Sequence, residues 1–300
     1  MLLLHLHAGA QHLPQDSISF FTPSPVYNPA KANGLAIGMT TAYVGGMSIL
    51  YGVWYKDYPT QAFHLFDDSK EWLQMDKLGH TGSAYYLSRW SAGMVRWTGT
   101  EQKKAAWIGT GIGYGFQLTV EVMDGFSSEW GFSTTDILAN TVGAGLFLSQ
   151  ELGWKEQRIA FKMSYHQSDF AKYRPNVLGS SFSERVLKDY NGQTYWLSAN
   201  IKSFLHRESK FPAWLNFAVG YGADGMVGAE DNNVETEGTP PADLKRYRQY
   251  YLSADIDLTR IKTRSPLLKT VFEVFGFIKI PAPTIEYNSK GNFVFHPFYF

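Results

Sequence analysis

The first half of the chain places hydrophobic residues at helical spacing, with polar residues gathered near the predicted helix ends. Four helices are predicted, over residues 34–54, 70–98, 101–123 and 133–153, with Gly153 as the stop of the last. Residues 34–54 contain no charged side chain. At about 1.5 Å per residue this helix would extend roughly 30 Å, which is the hydrocarbon thickness of a bilayer.

Glycine is frequent in these helices. Each glycine costs a solvated helix roughly 0.8–1 kcal/mol, so residues 34–54 would make a poor helix alone in water. Small residues let helices pack closely, which favours a bundle. Gly109, Gly111, Gly113 and Gly115 alternate in the third helix, but they do not form G-x-G-x-x-G and follow no predicted strand. They indicate a flat packing face rather than a dinucleotide site.

In the second half the period changes to two. Alternation over residues 159–166, 195–202, 215–222 and 250–259 predicts half-buried antiparallel strands. Residues 284–288 and 292–300 predict a hairpin, and residues 267–278 fit either a strand or a short helix. The chain ends Phe298-Tyr299-Phe300, which resembles the terminal aromatic of outer-membrane barrel strands. A soluble sheet packed on the helices and a membrane-facing barrel both remain open, since closed outer-membrane barrels need eight strands.

The predicted fold class is α+β, with a glycine-rich four-helix bundle followed by an antiparallel β-sheet or a small or open β-barrel. Residues 1–30 are predicted to be a signal remnant and extended leader, residues 31–153 the helical domain, and residues 154–300 the β domain. A short apolar start followed by Ala8-Gly9-Ala10-Gln11 indicates a signal-peptidase site. A truncated signal peptide and an ordinary chain terminus are the alternatives, because no Lys or Arg precedes it.

Composition narrows the function classes. Lys plus Arg and Asp plus Glu number 27 each, and this balance argues against a nucleic-acid partner. The 300 residues contain no cysteine, which excludes disulfides, thiolate metal sites and cysteine nucleophiles among them. Aromatic residues reach 16% while charged residues are only 18%, against about a quarter in a typical soluble domain. The surface is therefore expected to be rich in rings and poor in charge.

The strongest chemical signal is a set of polar residues on three predicted helices. Asp76 and His80 lie four apart on one helix face, as do Asp136 and Asn140. Antiparallel packing would bring them to one end of the bundle. The candidate ligand-binding residues are Asp76, Lys77, His80, Tyr85, Glu121, Asp124, Asp136 and Asn140. His64, in the loop before the second helix, could join them but is expected to be exposed.

Three interpretations of this set remain open. The residues could form a structural network, because buried polar groups are costly unless they are paired. They could instead bind a cation, a lipid headgroup or another polar ligand. In an enzyme, His80 would be a general base oriented by Asp76, with Glu121 or Asp136 as a second acid or a metal ligand. Imidazole and carboxylate groups suit a divalent cation, although H-E-x-x-H and G-x-S-x-G motifs are missing from the sequence.

The order of these residues resembles a known family. The matching pattern is Asp76-Lys77-x-x-His80-x4-Tyr85, then Glu121-x-x-Asp124, then Gly131-x4-Asp136-x3-Asn140-x2-Gly143. It resembles the YfiM-like family of predicted envelope lipoproteins of unknown function, and the VanZ-like group of small helical membrane proteins. The second half is similar to longer members of the Bacteroidota type. The resemblance implies an envelope location, with anchoring by apolar helices or the β half, since no cysteine is present to carry a lipid.

We therefore expect an uncharacterised cell-envelope protein at the outer membrane or its periplasmic face. Its expected partners are membrane lipid or an envelope protein, bound without catalysis. The alternative is a hydrolase or transferase that acts on a lipid or cell-wall precursor, with His80, Asp76, Glu121 and Asp136 as catalytic residues.

Overall fold

The computed structural model describes residues 21–300, so most of the predicted signal remnant lies outside it. The helical half contains α1 (Pro29–Leu50), which continues as a π-helical turn over Tyr51–Tyr55, then α2 (Met75–Trp97), α3 (Gln102–Gly125) and α4 (Thr134–Gly153). Two short parallel strands, β1 (Leu65–Phe66) and β2 (Phe132–Ser133), pair beside the starts of α2 and α4.

The second half forms one antiparallel sheet. Its strands are β3 (Ile159–Tyr165), β4 (Gln193–Asn200), β5 (Leu215–Asp224), β6 (Tyr247–Ile256), β7 (Ala282–Asn288) and β8 (Phe293–Tyr299), paired in that order. The short helices between them are α5 (Pro175–Leu178), α6 (Phe182–Lys188) and α7 (Pro266–Phe275). The α+β class is confirmed, and the ambiguous segment 267–278 proves to be mainly helical.

Glycine decides how α2, α3 and α4 approach one another. Gly109 and Gly113 of α3 lie against the backbone of α2, and Gly143 of α4 lies against Thr81. Gly111 and Gly115 have no neighbouring atom within 4 Å of an added Cβ. Residues two apart point to nearly opposite sides of a helix, so Gly109 and Gly113 form the packing face while Gly111 and Gly115 lie on the other side.

The predicted four-helix bundle is not confirmed, because α1 packs differently from the other three helices. No residue of Pro29–Leu50 is buried. The helix attaches to α3 on the outside, where the hydroxyl groups of Tyr43 and Thr119 are 2.6 Å apart. Residues 34–54 carry no charged side chain, and Ile37 and Ile49 of this helix are largely exposed.

The sheet curls strongly but stays open. The hydroxyl of Tyr299 on β8 lies 3.0 Å from that of Thr194 on β4, although three strands separate them. In a flat sheet these strands would be about 19 Å apart, so the sheet must bend to close that distance. Within residues 21–300, β3 and β8 do not pair, so the barrel alternative is not confirmed. Backbone bonds from Met163 to residues 277–279 cover the outer edge of β3.

The sheet and the helices share a hydrophobic core. Phe161 and Tyr195 of the sheet belong to the same buried cluster as Met75 and Tyr85 of α2. Gly79 of α2 leaves room for the Tyr195 ring, whose hydroxyl would be 3.1 Å from an added Cβ. This contact brings the sheet against the helix that carries Asp76 and His80.

Candidate functional site

A strained turn leads into the site. Trp72, Leu73 and Gln74 have φ angles of 49°, 50° and 66°, in the left-handed region that residues other than glycine rarely adopt. The β half holds this turn: Tyr221 donates to the Leu73 carbonyl at 2.6 Å, and Arg248 donates to the Gln74 side chain at 2.8 Å. Such strain persists only where surrounding contacts determine the conformation. This strained segment ends directly before α2 and sets the direction in which the helix begins.

Lys77 lies at the centre of three carboxylates. Its Nζ is 2.6 Å from Asp68, 2.7 Å from Asp136 and 3.0 Å from Asp76. The Lys77 side chain is only 12% exposed, so these pairs are largely removed from water. Removing one partner from a buried ion pair leaves an uncompensated charge, which makes each group dependent on the others.

Of the carboxylates around Lys77, Asp68 has the most complete set of hydrogen-bond partners. It was not among the residues predicted for the site. Its Oδ1 accepts hydrogen bonds from the hydroxyl groups of Ser133 and Thr135, each at 2.6 Å. Burial raises its pKa, but hydrogen bonds from Asp136, Lys77 and these hydroxyls outweigh that effect and hold the pKa well below the usual range. Ser133 also caps α4 by accepting from the Asp136 backbone amide at 3.0 Å.

His80 connects the three helices. Its Nδ1 lies 3.3 Å from Glu121 Oε1 of α3. Its Nε2 lies 3.8 Å from Asp76 Oδ1 on its own helix and 3.9 Å from Asp136 Oδ1 of α4. The polar residues that the sequence placed on separate helices therefore meet around one imidazole ring.

Glu121 is the most deeply buried acid of the site, with a side chain that is 1% exposed. Neither of its carboxyl oxygens makes a well-formed hydrogen bond. Burial, with the nearby charge of Asp124, raises the pKa of Glu121 to about 8. Asp124 lies at the edge of the site and accepts from the Tyr55 hydroxyl at 2.7 Å. Burial also raises the pKa of Asp124, to about 7.

Asp76 and Asp136 titrate as an interacting pair. Burial and the charge of Asp76 raise the pKa of Asp136. Burial acts in the same direction on Asp76, but His80 and Lys77 outweigh it and lower the pKa of Asp76.

Not every predicted site residue faces the others. Asn140 accepts from Gln117 at 3.1 Å, in the buried layer beside Glu121. Tyr85 points away and donates to Gln157 at 3.1 Å. His64 lies beside the Gly125 carbonyl, at 3.2 Å, rather than in the charged group.

Tyr190 is a further residue that sequence reasoning missed. Its hydroxyl donates to Asp76 Oδ1 at 2.7 Å from the loop before β4. No spacing or motif signals this contact, because 114 positions separate the two residues. Asp68 could have been found from its position in the polar segment that leads into α2.

We call Asp68, Asp76, Lys77, His80, Glu121, Asp124 and Asp136 the acidic cluster. It contains five carboxyl groups against one ammonium and one imidazole. Such a group can retain protons or bind a cation. Acid–base catalysis would also require a substrate to reach the His80 ring, whose side chain is 17% exposed.

Comparisons with known proteins agree with an envelope assignment. No curated protein and no solved structure matches the chain. The finer likeness to YfiM-like and VanZ-like proteins is not confirmed. Residues 64–149, which hold the whole acidic cluster, match the model of a family described as predicted periplasmic lipoprotein (DUF2279). Over these residues the chain is therefore similar to a family of unknown function whose description supports a periplasmic, cell-envelope location.

Proposed function

We propose that this is an outer-membrane-associated envelope protein whose partner is membrane lipid, bound through the outer face of its sheet. The observation that carries the proposal is an inverted distribution of polarity. On the inner side of the sheet, Lys162 and Asp255 form an ion pair at 2.7 Å with side chains no more than 1% exposed. Ser198 donates to the same carboxylate at 2.6 Å. Charged and hydroxyl groups thus lie in the interior of the curl, beside a buried aromatic cluster that contains Trp196 and Tyr251.

The outer side of the sheet has the opposite character. We define the apolar sheet face by residues that are all at least 40% exposed: Leu197, Phe217, Val219, Tyr250, Leu252, Ile285 and Tyr287. Val219 pairs with Leu197 on one side and Leu252 on the other, and Leu252 pairs with Ile285. Four adjacent strands therefore carry one continuous apolar row about 15 Å wide. Soluble proteins rarely expose a contiguous apolar surface of this extent.

Other elements extend this apolar surface. Residues Pro29–Tyr55 form a helix that is long and apolar enough to cross a membrane, judged by length and composition. Ile37 and Ile49 on this helix are 70% and 68% exposed. On α7, Leu267 is 72% exposed. Lipid would accommodate all of these side chains, whereas in water each would remain hydrated at a cost.

The polarity of the strands favours the outer membrane, because strands with apolar residues outward and polar residues inward are typical of outer-membrane proteins. The match of residues 64–149 to a family described as predicted periplasmic lipoprotein supports the coarser statement of a cell-envelope location. An envelope protein that covers the apolar sheet face would be the competing partner.

Cell fractionation and reconstitution with vesicles distinguish membrane lipid from a protein as the partner. The full chain, expressed in a Gram-negative host, is expected in the dense outer-membrane fraction and should resist extraction by high salt and by alkaline carbonate. Purified in detergent, it should float with phospholipid vesicles after the detergent is removed. Release by salt alone, or failure to float without a second protein, would contradict the proposal.

Two double variants, which add the same charges at different places, test whether the apolar sheet face contacts the lipid. Leu252→Asp with Ile285→Asp introduces two charges on the apolar sheet face and should reduce vesicle flotation. Thr239→Asp with Ala242→Asp places the same charges on exposed positions of the polar loop between β5 and β6, where flotation should be unchanged. Equal flotation of the two variants would place the lipid contact elsewhere.

A further inference from the structure

We propose that the acidic cluster binds one divalent cation, with Asp76, His80 and Asp136 as ligands. One ligand atom from each of these residues lies within 4.8 Å of the others. His80 Nε2 faces both carboxylates at 3.8 and 3.9 Å. Ligands of a tetrahedral ion with bonds of about 2.1 Å are roughly 3.4 Å apart, so the two distances from His80 Nε2 would shorten by about 0.4–0.5 Å, and the distance between the two carboxylate oxygens by at most about 1.4 Å.

Glu121 is placed to orient the imidazole ring of His80 rather than to bind the metal ion itself. Its Oε1 is 3.3 Å from Nδ1, the imidazole nitrogen on the opposite side from the three-ligand group. A metal-binding histidine usually donates its second N–H to a carboxylate or a carbonyl, which fixes the tautomer and the ring orientation. With Nδ1 protonated toward Glu121, the lone pair of Nε2 would point at Asp76 and Asp136.

A second, independent observation is that acidic oxygens around the His80 ring are buried without a well-formed hydrogen bond. They are Oδ1 of Asp136, whose side chain is 7% exposed and which faces the three-ligand group, and both carboxyl oxygens of Glu121, whose side chain is 1% exposed. Buried polar atoms of this kind are rare in folded proteins. Among the described residues, Lys77 and His80 are the basic side chains that pair with the five carboxyl groups of the acidic cluster, and a bound cation would add positive charge beside them.

The ligand set indicates which class of cation fits. One imidazole nitrogen and two carboxylate oxygens suit borderline ions such as Zn²⁺ and Mn²⁺ better than Ca²⁺, which takes six to eight oxygen ligands. Lys77 lies 2.7 Å from the Asp136 oxygen that would bind the metal. The ammonium therefore competes for this ligand, and its removal should strengthen metal binding.

The test measures metal uptake directly. The full chain is purified in detergent, stripped with a chelator, and titrated with ZnCl₂ or MnCl₂ by calorimetry, and bound metal is counted by mass spectrometry. One ion per chain is expected. His80→Ala should abolish binding, Glu121→Gln should weaken it about ten-fold, and Lys77→Met should tighten it. His64→Ala is the matched control and should bind as wild type does, because His64 lies outside the acidic cluster.

A second readout keeps the proposal testable if His80→Ala does not fold. Metal that binds only the folded state raises the melting temperature. Zn²⁺ or Mn²⁺ should raise it for wild type and His64→Ala but not for His80→Asn or Asp136→Asn. No uptake by wild type, or uptake by the His80 and Asp136 variants equal to that of wild type, would overturn the proposal. These measurements are made in detergent, so they are independent of where the protein resides in the envelope.

Discussion

Tyr190 donates a hydrogen bond from its hydroxyl to Oδ1 of Asp76, at 2.7 Å, and so connects the β half directly to the acidic cluster. Asp76 begins α2, whereas Tyr190 lies in the turn before β4. The same side of the cluster is held by bonds from Tyr221 and Arg248 to the strained turn before α2. The sheet therefore helps to set the geometry of a site whose other members come from the helices.

Tyr190→Phe should destabilise the protein by about 1.5–3 kcal/mol, the range for a hydrogen bond to a charged group. The variant keeps the ring packed on Trp72 but leaves one oxygen of Asp76 without its donor. Denaturant unfolding in detergent measures the change. Tyr173→Phe is the control, since that ring is only partly buried and lies away from Asp76, and it should shift the midpoint little. Equal effects of both variants would mean that the bond adds nothing to stability.

Lys77→Met should cost about 3–5 kcal/mol in the metal-free protein, because it leaves three carboxylates within 3.0 Å of its Nζ without their cation. Methionine preserves most of the side-chain volume, so the loss of stability would come from the missing charge rather than from poorer packing. The free energy of unfolding at neutral pH is the measurement. Lys70→Met removes an exposed lysine from the preceding segment and should change it by less than about 0.5 kcal/mol. A loss below about 1 kcal/mol for Lys77→Met would contradict a buried ionic network.

Glu71→Gln should stabilise the protein at alkaline pH. Burial and the charges of Asp68 and Asp76 raise the pKa of Glu71 to about 7 in the folded state. A raised pKa means that the folded state holds the proton more tightly. This stability is present below the unfolded pKa of about 4.3 and is lost as pH rises through about 7. Glutamine cannot ionise, so the variant avoids the loss.

The expected gain for Glu71→Gln is about 1 kcal/mol near pH 8, allowing for screening at a partly exposed site, and close to zero near pH 4. Unfolding curves across this range measure it. Glu235→Gln, at an exposed loop position, is the control and should give a difference that does not change with pH. A pH-independent effect of Glu71→Gln would mean that this carboxyl titrates normally.

Two glycines of α3 provide an internal comparison of packing. Gly113→Ala would place a methyl group against the Ser88 backbone and hydroxyl, and should cost about 1–3 kcal/mol through overpacking. Gly111→Ala meets no atom within 4 Å and should gain up to about 1 kcal/mol from helix propensity. Thermal unfolding of both variants distinguishes the two effects. Equal shifts would show that α3 does not pack on α2 through this face.

Much of the acidic cluster could be predicted from the sequence, because helical periodicity determines which side chains share a face. Asp76 and His80, four apart, do meet, and Glu121 and Asp136 approach them from neighbouring helices. The sequence pattern Asp76-Lys77-x-x-His80-x4-Tyr85 also placed Tyr85 in the site, but its hydroxyl reaches Gln157 instead. Five positions after His80 the helix has turned by about 140°, toward the sheet rather than toward α3 and α4.

By itself, the sequence determined the α+β class, the approximate position of the long helices and of the six strands of the large sheet, and the alternation of hydrophobic and polar residues along those strands. These follow from short-range periodicity, which each segment carries alone. Only the tertiary structure decided that α1 lies outside the packed helices, that the sheet curls without closing, and that Tyr190 reaches Asp76. Those features depend on contacts between residues far apart in the chain, and no local pattern encodes which distant partner a side chain will find.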